Sequence, residues 1–223
     1  GAVDKPGYAL AMRWTALDAD PGTLEAGLDF SRARSVAEFT AASARYVAPM
    51  QNMVVADRDG HIGVVSAGRV PVRKPENDLK GQVPSPGWDA RYDWAGFVDP
   101  VQTPRETDPP RGWIATANQR IHPAGYPHYI TNEWAVPYRM QRIEQLLGAK
   151  PKHSLQSLRD AQADVLSLGA LRVLPHIRKA RSTHALAAAA QRQLADFDGT
   201  MASDKAAPLI LWAWSRQLTL GLF

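Results

Sequence analysis

The chain has 223 residues, 45% of them hydrophobic and 22% charged, with a formal charge of +4 and no cysteine. This is the composition of a globular protein with room for one large domain or two small ones. It excludes disulfides, cysteine nucleophiles and thiolate metal sites, and the longest apolar run, Ala206 to Ala213, falls far short of the about 20 residues that span a bilayer. The basic residues are scattered, and the densest stretch, Arg172 to Arg181, is interrupted by Leu174, Pro175 and Ile177. A solvated surface is therefore expected there, with no nucleic-acid partner. Gly1 to Leu10 carries Asp4 and Lys5 and lacks the apolar core of a signal peptide. Gly1 in place of Met is compatible with processing or excision, so export stays open.

Tyr8 to Thr15 reads as a strand, followed by a polar loop containing Gly and Pro. Ser35 has the position of an N-cap with Glu38 three residues on, the capping-box spacing. The helix it opens is expected to run to about Tyr46, bury Val36, Phe39 and Ala42/Ser43, and end before Pro49. Met53 to Ala56 and Ile62 to Ser66 are β-branched segments flanking Asp57-Arg58-Asp59-Gly60, a hairpin with a bulged turn. Between Val70 and Pro110 the chain is rich in Pro, Gly and Asp with interspersed aromatics, as in a layer folded over a sheet or pocket. Trp113 to Ala117 (WIATA) reads as a short strand. Pro137 to Leu147 reads as a helix with Met140, Ile143, Leu146 and Leu147 on one face. Ser154 is expected to cap one longer helix carrying Leu155, Leu158, Val165, Leu168 and Leu171, and Thr183 an Ala-rich helix through Leu194. A last helix starts near Ala206 and tolerates Pro208 in its first turn.

Several stretches, taken in order, resemble the larger chain of the penicillin acylase family of N-terminal-nucleophile hydrolases. Tyr8-Ala9-Leu10 leading into Met12-Arg13-Trp14-Thr15 is similar to the family's ALRWT strand. Pro49 to Gly63 (PMQNMVVADRDGHIG) resembles its P-Q-N hairpin, and Ala67 to Arg73 continues it as AGRxPxR. Pro86-Gly87-Trp88 and Asp93 to Phe97 resemble PGW…DWxGF, and Pro109 to Asn118 resembles NPPxGfIaTANN. Trp134, Pro137-Tyr138-Arg139 and Arg142-Ile143 resemble W…pYRxxRI, and Leu194 to Gly199 with Trp212 echoes a later LxxWDG…W block. The resemblance spans nearly the whole chain.

It implies an α/β (α+β) fold, part of an αββα four-layer sandwich. Residues 1–135 would form the strand- and loop-rich part of the core and residues 136–223 a mainly helical lobe of the same domain. Family members cut themselves to expose a serine that attacks the substrate amide, with its own α-amino group as general base. In the family that serine lies upstream of the strand matched by Tyr8 to Thr15, and Gly1 has no hydroxyl. The expectation is thus an internal fragment of the larger chain, inactive alone, whose partners are the remaining segments of the same precursor and a small-molecule acyl amide. The substrate class is the acyl side chain of a β-lactam or an N-acyl homoserine lactone, and the location is the periplasm or outside the cell. A severed sheet would expose unpaired edges, so self-association is expected as well. The alternative is a non-catalytic scaffold or binding module on the same fold, distinguished by whether a serine follows a cleavable linker upstream. A metal-dependent hydrolase is the other rival, for elemental analysis to decide.

By the same resemblance Asn118 matches the asparagine that donates a hydrogen bond to the tetrahedral oxyanion, a contribution of about 3–4 kcal/mol in comparable sites. Asn also suits a strand end because it tolerates left-handed backbone. The next residue is Gln119, where the family usually repeats Asn. Arg139 matches an arginine that braces the active-site asparagine, against the alternative of an ordinary solvated arginine, and Arg142 shares its face. No cofactor is required for the chemistry. A structural calcium is a family feature, with Asn132 or Glu133 as available oxygens and Ile130 unsuited. Asp57 and Asp59 imitate the start of a calcium loop but read as a turn. The histidines show no metal-binding spacing, and Ser66 has no GxSxG context. Trp88, Trp94, Trp134, Trp212 and Trp214 are expected in the core, although Trp134 lies between two active-site motifs.

Overall fold

A computed structural model describes residues 7–20 and 22–222. The readings made on Gly1 and on residues 1–6 lie outside them. The chain forms two compact units, Gly1–Trp134 and Ala135–Phe223.

In the first unit a helix, α1, covers Gly22–Arg32, and a second, α2, covers Val36–Ala42. Ser35 caps α2 as expected, its hydroxyl accepting from the Glu38 N–H at 3.1 Å. The Glu38 carboxylate reaches back one residue further than a capping box requires, to the N–H of Arg34 at 2.7 Å. The helix tightens into a 3-10 turn at Ser43–Arg45, before the cis Ala48–Pro49 bond. Helix α1 lies where a loop was expected. Its buried residues are Gly22 and Ala26, while Leu24 and Leu28 face outward. Phe30 stacks on Phe39 with ring centroids 4.4 Å apart, and Thr23 Oγ1 accepts the N–H groups of Val47 and Ala48.

The expected hairpin is present as β1 (Gln51–Ala56) and β2 (Ile62–Ala67), antiparallel and in register from Gln51↔Ala67 to Ala56↔Ile62. The Asp57 carboxylate closes the turn. One oxygen accepts from the N–H of Asp59 and His61, the other from the N–H of Val36 at the start of α2. These backbone donors, Val36 foremost, hold its pKa below the ordinary aspartate value. The Pro/Gly-rich region contains three further strands, β3 (Pro71–Arg73), β4 (Trp94–Phe97) and β5 (Arg105–Thr107). Strand order is β1-β2-β5 in one antiparallel sheet, with β3 paired to β4 in another. Strand β2 is central, and Val64 and Val65, on its two faces, are both buried.

Two expected strands are absent. Tyr8 to Trp14 takes no ladder partner among the described residues and ends in a 3-10 turn at Thr15–Leu17. The WIATA segment likewise has no backbone ladder; a side-chain hydrogen bond tethers it instead.

In the second unit, helix α3 spans Tyr138–Gly148, as its periodicity predicts. The single long helix expected after Ser154 is two, α4 (Leu155–Gln162) and α5 (Leu168–Lys179). Between them Asp164 accepts the N–H of Leu166, Leu166 bridges to Thr200, and Ser167 caps α5. Local side-chain acceptors have won over helix continuation. Helix α6 spans Ala187–Ala195, starting after a turn at His184 and not at Thr183. Helix α7 spans Ala206–Leu222. Ala170, Leu174, Ile177, Leu194, Phe197, Ala207 and Leu211 form the core here. Arg178, from the basic stretch, donates to the carbonyls of Leu194 and Phe197 at the end of α6, satisfying acceptors that a helix end leaves open.

Trp88 and Trp212, expected in the core, lie outside it. Trp88 is 83% exposed, on a turn closed by Asp89 N–H to Pro86 O. Trp212 is 64% exposed, a third of a turn round α7 from buried Leu211. Among the described residues no helix is long and apolar enough to cross a membrane.

Candidate active site

A chain of polar side chains crosses the first sheet and ends at an open cleft. Ser66, fully buried on β2, donates its hydroxyl to Asn52 Oδ1 at 2.7 Å. Asn52 is its register partner on β1 and donates Nδ2 to Thr116 Oγ1 at 3.2 Å. Asparagine can accept at one end of its amide and donate at the other, so one side chain connects the central strand to the 113–118 segment. The buried Ser66 hydroxyl is engaged in this relay and is no nucleophile.

Two residues beyond Thr116 the backbone turns. Asn118 has φ +62°, a left-handed conformation that Asn tolerates. Gln119 closes the turn, its Oε1 accepting from the N–H of buried Ala117 at 2.8 Å. The glutamine that departs from the family's repeated asparagine thus has a local structural task. Asn118 is exposed and lines a cleft of about 470 Å³. Met50, Ile121, Ile130 and Trp134 supply apolar wall, while Asn52, Thr116 and Glu133 supply polar wall. Trp134 is half-buried in this wall with His122 edge-on at 5.5 Å between ring centroids, so it borders the cleft and does not belong to the core. Apolar wall beside neutral amide donors is suited to an acyl chain whose carbonyl oxygen gains charge during reaction.

Arg139 sits in the first turn of α3, exposed. Arg142, one turn on, forms a two-pronged pair with Asp164, Nε to Oδ1 at 2.8 Å and Nη2 to Oδ2 at 2.5 Å. That hydrogen bonding holds Asp164 below the ordinary aspartate value. Arg142 is therefore a tie within its own unit.

The calcium candidates do not form a shell by themselves. Asn132 accepts from the Tyr129 hydroxyl at 3.2 Å and donates to Gln82 at 2.9 Å, which leaves Glu133 alone. Among the described residues no group of three or more His, Asp or Glu could hold a metal ion.

A His–Asp pair was not foreseen. His61 Nδ1 lies 2.7 Å from Asp108 Oδ2, while Asp108 Oδ1 accepts from the N–H of Ile62. Hydrogen bonding to Asp108 raises the His61 pKa; the Ile62 N–H, then His61, lower that of Asp108. The pair is exposed and fastens the hairpin end to β5.

Sequence reasoning gave Asn52 no role of its own. The available signal for Asn52 was a polar amide leading into the apolar run Met53 to Ala56, a position where Asn is disfavoured unless it has partners.

The chain matches the Penicillin amidase family model over residues 2–223. It belongs to the penicillin amidase family. Among curated relatives, an acyl-homoserine lactone acylase QuiP of Pseudomonas aeruginosa is 43% identical over 164 residues, covering 74% of this chain and 19% of that protein. A penicillin acylase 2 proenzyme of a Pseudomonas species is 38% identical over 116 residues, 52% of this chain and 15% of the other. The penicillin amidase fold is seen directly in the likeness to penicillin G acylase of Alcaligenes faecalis, with a TM-score of 0.66 and 23% identity over 86% of this chain and 34% of that one. The chain spans less than a quarter of the length of these curated relatives.

Proposed function

We propose that this chain is the oxyanion-side part of an acylase that hydrolyses the linear amide between an acyl group and an amine. The substrate class is an N-acyl homoserine lactone, or the acyl side chain of a β-lactam. The identity of 43% to an acyl-homoserine lactone acylase supports the first. The observation that carries the reading is Asn118, turned out of the backbone at positive φ and lining a cleft with an apolar wall. Its side-chain amide would donate to the carbonyl oxygen as that oxygen becomes negative, and the relay from Ser66 through Asn52 to Thr116 keeps the supporting segment in place. The hydroxyl nucleophile and its amine base would come from another segment of the precursor, and the assembled enzyme would act in the periplasm or outside the cell.

Two assays test this. The 223-residue chain alone is expected to release no p-nitroaniline from an acyl-p-nitroanilide, and chain-dependent turnover would refute the need for a second segment. In the assembled precursor product, Asn118→Ala should lower kcat by about 10²–10³ with KM little changed. A kcat within a few-fold of the parent would remove Asn118 from the oxyanion site.

A further inference from the structure

A second cavity, of about 200 Å³, lies among β3, the turn after it and residues 127–129. Arg73, Lys74, Lys80 and His128 line it, and no carboxylate does. Lys74 donates Nζ to the Ala90 carbonyl at 2.5 Å, and His128 Nε2 lies 3.1 Å from Gln102 Oε1. Both are therefore engaged.

Arg73 and Lys80 are different. The half-buried Arg73 guanidinium lies 5.7 Å from the Trp94 ring and has no hydrogen-bond acceptor or carboxylate partner among the described residues. Burial disfavours its charged form most, Tyr129 partly offsets this, and Arg13, of like sign, adds to it. Nearby acids are directed elsewhere: Asp93 to Arg13 and Asp78 to Tyr92, while Glu76 is exposed. Five fixed N–H donors without an acceptor are costly away from bulk water.

The turn is shaped around this group. Gly81, at φ +76°, passes so close that a Cβ there would lie 2.8 Å from Arg73 Nη2. Lys80 is held at φ +48° with its N–H on the side chain of Asn77, which is 1% exposed. A lysine in left-handed backbone costs about 1–2 kcal/mol, and here it sets the ammonium over the Tyr129 ring, 5.3 Å from the centroid.

We propose that this cavity is an oxoanion site in which Arg73 and Lys80 hold one phosphate, sulfate or carboxylate group. The guanidinium offers paired N–H donors to two oxygens and the ammonium a mobile point charge to a third. The volume suits a single such group with its first waters, and no nucleotide.

Calorimetric titration of the 223-residue chain with inorganic phosphate, against chloride at equal ionic strength, tests it. Saturable binding of one phosphate per chain is expected, weakened about tenfold by Arg73→Gln, severalfold by Lys80→Gln, and less by Lys74→Gln, whose ammonium is tied to the Ala90 carbonyl. Circular dichroism checks that Arg73→Gln folds; Lys80 is exposed, so Lys80→Gln decides if it does not. No saturable heat with phosphate, or an affinity unmoved by Lys80→Gln, overturns the proposal.

Discussion

Asn52 accepts the hydroxyl of Ser66 across the β1–β2 ladder and passes a donor to Thr116, so one amide spans from a fully buried serine to the cleft wall. The energetic weight lies at the Ser66 end. That hydroxyl is wholly removed from solvent, and an orphaned buried donor costs about 1–3 kcal/mol.

Asn52→Ala should therefore destabilise the chain by about 1–3 kcal/mol in urea unfolding. In a Ser66→Ala background the same change should cost less by about 1 kcal/mol, because the group that would be orphaned is gone. Equal costs in the two backgrounds would mean that Ser66 and Asn52 are energetically independent.

The Arg142–Asp164 pair makes a pH prediction. Its side chains are 25% and 20% exposed, so solvent screens part of the attraction. The folded pKa of Asp164 is depressed. Its contribution is therefore complete above the unfolded aspartate value and is lost as pH falls through the lower, folded value. The stability gap between the parent and Asp164→Asn should be constant near neutrality and close in acid. Arg142→Lys should lose most of the effect, since an ammonium cannot make both prongs. A gap that widens in acid would contradict the assignment.

Those elements whose apolar residues recur with a regular period were legible in the residues. The hairpin at Gln51–Ala67, helix α3 and helix α7 all announce themselves by periodicity and turn chemistry. Helix α1 did not, because it buries Gly22 and Ala26 and leaves Leu24 and Leu28 in solvent; a helix packed through small residues has no apolar stripe to read. The break between α4 and α5 was hidden for another reason. Leu155 to Leu171 keeps a helical pattern, but the pairing of Val165 and Leu166 with the 200–201 segment is a contact across more than thirty residues that no local pattern encodes. Asn118 was legible only through family resemblance, whereas its support by Gln119 and the Asn52 relay depends on folded geometry.

His61 and Asp108 give the opposite pH sign. Asp108 raises the His61 pKa, so the pair stabilises the fold fully below the ordinary histidine value and the contribution is lost as pH rises through the raised one. Asp108→Asn is the suitable probe, since asparagine tolerates the φ of +45° found there. The NMR titration midpoint of His61 should move down in this variant. An unmoved midpoint would show that the contact does not persist in solution.

Gly68 and Gly60 separate two costs that are usually mixed. Both have positive φ, +138° and +94°, so alanine strains the backbone at either site. At Gly60 a Cβ meets nothing within 4 Å, whereas at Gly68 it would lie 2.7 Å from the Met50 Cα. Backbone cannot yield as a side-chain tip can. Gly60→Ala should thus cost about 1–2 kcal/mol from strain alone, and Gly68→Ala roughly 3 kcal/mol or more. Because Met50 lines the Asn118 cleft, Gly68→Ala should also alter the environment of Trp134, read by fluorescence in a background where the other tryptophans are replaced by phenylalanine. Equal stability losses at the two glycines would mean that the Gly68–Met50 approach relaxes freely, and the cleft wall would then be softer than its packing implies.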